Sequence, residues 1–123
     1  MLNRDGIRKA VFTSDAQILA NVELQASVGC VVDATLGVAV GDRKIVKAGT
    51  PVEVDFNNLN TVVKAGAEGT ANAVLLHNVD VTDGNANGTA LIFGFVNLNR
   101  LDADVKTLVA GVKSVAGITF LAV

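Results

Sequence analysis

Residues 73–100 constrain this chain more than any other stretch. Two apolar runs there flank a polar segment dense in Asp, Asn and Gly. The first run is Ala73-Val74-Leu75-Leu76-His77-Asn78-Val79-Asp80-Val81, and the second is Ala90-Leu91-Ile92-Phe93-Gly94-Phe95-Val96. Between them lie Asp83-Gly84 and Asn87-Gly88, whose glycines turn through positive φ without a Cβ clash. This is the pattern of two antiparallel strands and their connection. The connection exceeds two residues, so its turn type stays open.

Alternation assigns the faces. Ala73, Leu75, His77, Val79 and Val81 share one side, and Val74, Leu76, Asn78 and Asp80 the other. In the second run Leu91, Phe93 and Phe95 oppose Ile92, Gly94 and Val96. Both sides of that run are apolar, which predicts a sheet covered on both faces. Gly94 leaves a gap between two phenylalanines and marks a bulge or a close backbone approach.

A 123-residue chain makes one domain of ordinary size with a real core. Half of its residues are hydrophobic, yet only 4 % are aromatic and Trp and Tyr are absent. The core is therefore built from Val, Ala and Leu. Any apolar surface left over is available for subunit contact; a small Val-rich core with nothing left over fits the composition equally. The net charge of −2 and the lack of a basic stripe disfavour nucleic-acid binding. A lone cysteine, Cys30, makes no internal disulfide and fits a reducing compartment. The polar N-terminus lacks a signal-peptide pattern, and the uncharged apolar run 90–96 is too short to span a bilayer. A soluble, cytoplasmically made protein is expected.

Residues 1–29 stand apart. Arg4, Arg8 and Lys9 put positive charge on one end of an acidic protein. Residues 15–24 fit a short helix (Ile18, Leu19 and Val22, capped by Ser14 or Asp15) or a strand (Val22, Leu24 and Ala26 alternating). The segment reads as an N-terminal arm that orders on a partner, or as an edge strand on its own domain.

The β body, residues 30–123, starts near Val31. Short strands are expected at 38–40, 45–47, 48–54 and 61–64, with a turn at 41–44, a loop at 55–60 and a connector at 65–69. Pro51, the only proline, belongs at a strand start or on an edge. Val105, Leu108, Val109 and Val112 have helical spacing. Asp102 is the expected N-cap, with Asn99 capping any earlier start, and Asp104 lies near the positive end of the dipole. Gly111 weakens this helix by about 1 kcal/mol relative to Ala. Gly117 suits a left-handed helix terminus, and residues 118–123 form a paired terminal strand. The fold class is β-rich α+β with one C-terminal helix.

Residues that carry chemistry are sparse. His77 is the only histidine and sits on a strand face. No second histidine completes a zinc site with Cys30. Asp80, Asp83, Asn85 and Asn87 lack the calcium-loop spacing and read as turn chemistry. The glycines at 66 and 69 are not followed by a phosphate-loop Lys-Ser/Thr, and no Gly-x-Ser-x-Gly exists. The sequence offers no case for an enzyme, a metal or a cofactor.

The order of several segments carries a resemblance. Lys47-Ala48-Gly49-Thr50-Pro51-Val52 opens a strand. Gly69-Thr70-Ala71-Asn72-Ala73 runs into Val74-Leu75-Leu76-His77-Asn78-Val79-Asp80-Val81-Thr82-Asp83-Gly84. Ala90-Leu91-Ile92-Phe93-Gly94-Phe95-Val96-Asn97 follows, and a helix and Ala116-Gly117-Ile118-Thr119-Phe120 close the chain. Over residues 41–123 this resembles the lambda-type head decoration proteins of tailed bacteriophages, which include head fibre and minor capsid proteins. The resemblance implies a small β-tulip or β-barrel-like domain. It would assemble as homotrimers on the outer surface of an expanded capsid, made in the host cytoplasm and resident in the virion. It also implies that the major capsid protein is the partner, met by the N-terminal arm through strand addition, with no role for nucleic acid or membrane. On this basis Arg4, Arg8, Lys9, Val22 and Leu24 are the expected capsid contacts. Pro51, Val52, Phe93 and Phe95 are the expected trimer contacts. The alternative is a small-ligand or carbohydrate-binding, adhesin-like module using the loop at residues 80–87, although it lacks the usual Trp and Tyr stacking platforms.

Overall fold

The computed structural model describes residues 18–21 and 24–122. Nine strands are described: β1 (Ala26–Val32), β2 (Val38–Val40), β3 (Arg43–Val46), β4 (Pro51–Glu53), β5 (Val62–Ala65), β6 (Ala73–Leu75), β7 (Val79–Asp80), β8 (Ala86–Asn97) and β9 (Ile118–Leu121). Helix α1 (Ala103–Val112) lies between β8 and β9, and 3-10 turns occupy Ala34–Leu36 and Leu98–Arg100. The molecule is a small, strand-rich α+β domain, as its pattern predicts.

Pairing runs β1-β5-β4-β6-β8, and β8 returns to pair with β1, so five strands close into a barrel. Only β1–β5 is parallel within that ring. Cys30, Val32, Val52, Val63, Ala73, Leu75 and Ala90 fill the interior, and Val46, Val79 and Val81 extend the same core. So narrow a barrel explains the Val- and Ala-rich composition, because few large side chains fit inside. At Gly88, opposite Cys30, an added Cβ would meet Val79 at 2.8 Å and Val32 at 2.9 Å. A second core lies outside the barrel, where Val74, Leu91 and Val96 are covered by Val105, Val109 and Val112 of α1 with Leu101, Val115 and Ile118. Each such side chain contributes roughly 1.5–3 kcal/mol on burial.

The expected sheet covered on both faces is therefore present, with two differences in its strands. The first run is not one strand. It breaks after Leu75, Asn78 Oδ1 accepts the Ala48 amide at 2.8 Å, and β7 pairs with β3 in a separate β2-β3-β7 sheet. The alternation survives the break, since Ala73, Leu75, Val79 and Val81 enter the barrel core while Val74 and Leu76 enter the outer one. In the second run Ala26 pairs with Phe93 and Ser27 with Leu91, so Ile92 is an extra, bulged residue. The bulge slips the alternation by one. Leu91 and Val96 share the outer core, and Phe93 is 51 % exposed.

Several boundaries also move. Arg43 and Lys44 belong to β3, which leaves Gly41 and Asp42 as a two-residue hairpin turn. Pro51 starts a strand as expected, but β4 lies between β5 and β6 and is no edge. Leu108 is 51 % exposed because the covered stripe of α1 is narrow, limited to Val105, Val109 and Val112. The helix ends at Lys113 (φ 68°), not at Gly117. Gly117 (φ 80°) instead turns the chain into β9, which runs parallel to the last residues of β8. The boundary expected between residues 29 and 30 falls inside β1, and Ile18 and Leu19, assigned to the arm, are buried in the outer core.

Candidate functional site

The bulge at Ile92 shapes the most distinctive surface. It turns Phe93 outward and leaves Phe95 half-buried beside it, their rings edge to face with centroids 6.5 Å apart and planes at 68°. Gly94 between them has φ 156°, and a Cβ added there would lie 3.5 Å from the Leu24 carbonyl oxygen. Leu24 is 55 % exposed. The Leu24 amide donates to Asn21 Oδ1 at 3.2 Å. Leu24 and the Phe93–Phe95 pair thus place exposed apolar side chains near Gly94 of β8. Large apolar side chains grouped on a surface mark interaction sites more often than scattered ones.

The residues expected to act together divide into three groups. Phe93 and Phe95 do meet at the surface, with Leu24 near Gly94 between them. Pro51 and Val52 do not: both are buried between β5 and β6, Val52 at 0 % exposure, and offer a neighbouring subunit no surface. Their assignment as trimer contacts is corrected for that reason. Arg4, Arg8, Lys9 and Val22 lie outside the described residues.

The Asp/Asn loop is held by bonds within itself and to neighbouring segments. One Asp80 oxygen accepts from the Thr82 amide at 2.9 Å and the Thr82 hydroxyl at 2.6 Å, and the other pairs with Arg43 Nε at 2.6 Å. The Thr82 bonds first, and Arg43 after them, lower the Asp80 pKa to about 2. Arg43 is raised in turn, chiefly by its hydrogen bond to Asp80. Asn85 Oδ1 accepts the Ala34 amide at 2.8 Å and ties the loop to the first 3-10 turn. These side chains organise turns, as their residue types predict.

A groove of about 350 Å³ lies beside the loop, lined by Val40, Arg43, Ile45, Lys47, Asn78 and Asp102. Its cations are engaged: Arg43 with Asp80, and Lys47 Nζ with Asp102 at 3.1 Å and Asp104 at 3.2 Å. Asp102 occupies the N-cap position, but its carboxylate faces Lys47 and makes no cap hydrogen bond. Asn97, not Asn99, acts as a cap, accepting the Asn99 amide at the second 3-10 turn. Lys47 therefore pins the start of α1 to the chain just beyond β3.

Cys30 is buried, and desolvation pushes its thiol up against a smaller opposing effect of a Gly88 backbone hydrogen bond. His77 is exposed on the bend after β6. Among the described residues no group of three or more His, Cys, Asp or Glu side chains is placed to hold a metal ion. No described helix is long and apolar enough to cross a membrane.

Two surface features escaped the sequence reading. Phe56 and Leu59 are 54 % and 39 % exposed on the loop between β4 and β5. The signal for them is a large apolar residue isolated among asparagines, in Asp55-Phe56-Asn57-Asn58-Leu59-Asn60. Val38 and Val40 are exposed on β2, an edge strand too short for its alternation to show which side is covered. No family model and no curated protein matches the chain.

Proposed function

We propose that this protein is a structural virion protein. It binds the outer surface of an expanded tailed-phage capsid and stabilises it, assembling as trimers at threefold sites. The observation that supports this reading is the Leu24, Phe93 and Phe95 patch. Exposed Leu24 and Phe93, with half-buried Phe95, offer apolar surface for a subunit or capsid to cover. The segment order resembling the decoration family points the same way. A shell of many modest contacts gains strength by repetition.

The reading is tested by heating expanded empty heads with and without added protein and following their rupture by light scattering. Added protein raises the rupture temperature, and Phe93→Ser, which alters an exposed position, weakens that protection while leaving the circular dichroism spectrum unchanged. Heads that rupture at the same temperature with and without saturating protein refute it.

A further inference from the structure

The β2-β3-β7 sheet leaves one apolar face in solvent. Its register sets Val38 opposite Ile45, Val40 opposite Arg43, and Ile45 opposite Asp80 of β7. Opposed residues in a ladder share a face, so these side chains lie on one side of the sheet. The other side carries Val46 and Val79 into the barrel core. Val38 and Val40 are 43 % and 46 % exposed, and Ile45 is half-buried. Val40 and Ile45 also line the groove of about 350 Å³.

β2 is an open edge as well. Among the described residues it pairs only with β3. The Lys44 amide donates to Thr82 Oγ1 at 2.9 Å, and the Lys44 carbonyl accepts the Val81 amide at 2.9 Å. Lys44 thus spends its backbone groups on the β7 side. Its partner Ala39 occupies a non-hydrogen-bonded position, with its own amide and carbonyl directed away from β3. Edge strands are commonly blunted by charge, proline or a bulge. Val38-Ala39-Val40 has none of these, and all three residues are exposed.

The surrounding charge selects the occupant. Arg43 interacts chiefly with Asp80, and more weakly with Asp42 in the hairpin turn and with Asp83. Asp102 and Asp104 meet at Lys47, which lines the groove. These aspartates outnumber Arg43, Lys44 and Lys47, so the rim is acidic. A second copy of β2 laid on this edge would bring two acidic rims together, and like charges oppose that pairing.

We propose that the β2 edge docks an extended, basic segment of another protein. The segment adds as a fourth strand beside β2. Its aliphatic side chains continue the row of Val38 and Val40, and its Lys or Arg side chains reach the aspartates. The site uses none of the residues around Phe93 and does not depend on the trimer.

The test titrates isotope-labelled full-length protein with the peptide acetyl-Lys-Thr-Val-Thr-Val-Thr-Lys-amide, followed by NMR. Saturable shifts and slowed hydrogen exchange are expected at the Ala39 amide, with binding that weakens as salt is added. The same peptide with Glu in place of each Lys binds several-fold more weakly. Ala39→Pro removes the outward amide without removing a bond to β3, and raises Kd by about fivefold or more. Asp42→Lys, at an exposed turn position, weakens binding several-fold and leaves the signals of the barrel core in place. An Ala39 amide unaffected by millimolar peptide overturns the proposal, and so does equal binding of the Glu peptide. Shifts at β2 that follow protein concentration without peptide assign the edge to a second copy and overturn it too.

Discussion

Two glycines near the C-terminus should respond to alanine with opposite signs. Gly117 sits at φ 80°, and a Cβ there would press into the Ile92 carbonyl oxygen at the β8 bulge. Left-handed backbone costs an L-residue roughly 1–2 kcal/mol. The contact is with backbone and cannot be relieved by a rotamer change, so β9 must shift against β8 or the bulge must open. A total of about 2–4 kcal/mol is expected for Gly117→Ala, in the range of other strained backbone sites. Gly111 lies in the helix with open space where a Cβ would go. Gly111→Ala should stabilise by about 0.5–1 kcal/mol, because alanine restricts the unfolded chain and favours the helix. Urea titration followed by circular dichroism measures both, with a constant m-value showing that the unfolded states are comparable. Gly117→Ala within about 0.5 kcal/mol of the parent protein would refute the seating of β9 on the bulge. A destabilising Gly111→Ala would refute the helix placement.

Three further outcomes follow from the cores and the loop. Leu91→Ala, at 0 % exposure under α1, should cost about 2–5 kcal/mol in the same titration. Cys30 should resist a thiol reagent such as dithiobisnitrobenzoate in the native protein and react fully in urea, since its thiol is buried and its pKa raised. Asp80 should titrate near 2 by NMR. A depressed carboxylate pKa means that its stabilising contribution is fully present above the unfolded value of about 3.9 and is lost as the pH falls towards about 2. Asp80→Asn should remove that part of the acid sensitivity.

The strand-rich class, the C-terminal helix and the partition of the apolar residues of 73–81 between two cores were legible because period-2 and period-3.6 patterns are local properties. Val74 and Leu75 reach opposite cores in accord with alternation alone. What the pattern missed depends on long-range contacts. The break after Leu75 is fixed by Asn78 bonding to Ala48, thirty residues away in sequence. The bulge at Ile92 is defined by its partners Ala26 and Ser27, and it sends Phe93 outward against the simple alternation. Closure of the barrel requires β1 to meet both β5 and β8, which no local period encodes. Of the candidate contacts, Phe93 and Phe95 stood out as aromatic residues flanking a glycine. Pro51 and Val52 read as available surface only because the strands on either side of β4 were not known.

The most direct test of the proposed role is cosedimentation of the purified full-length protein with expanded and unexpanded empty heads from a candidate parent phage. The account predicts saturable binding to expanded heads alone, with three copies at each threefold site. Absence of binding to expanded heads, or equal binding to both forms, would contradict it.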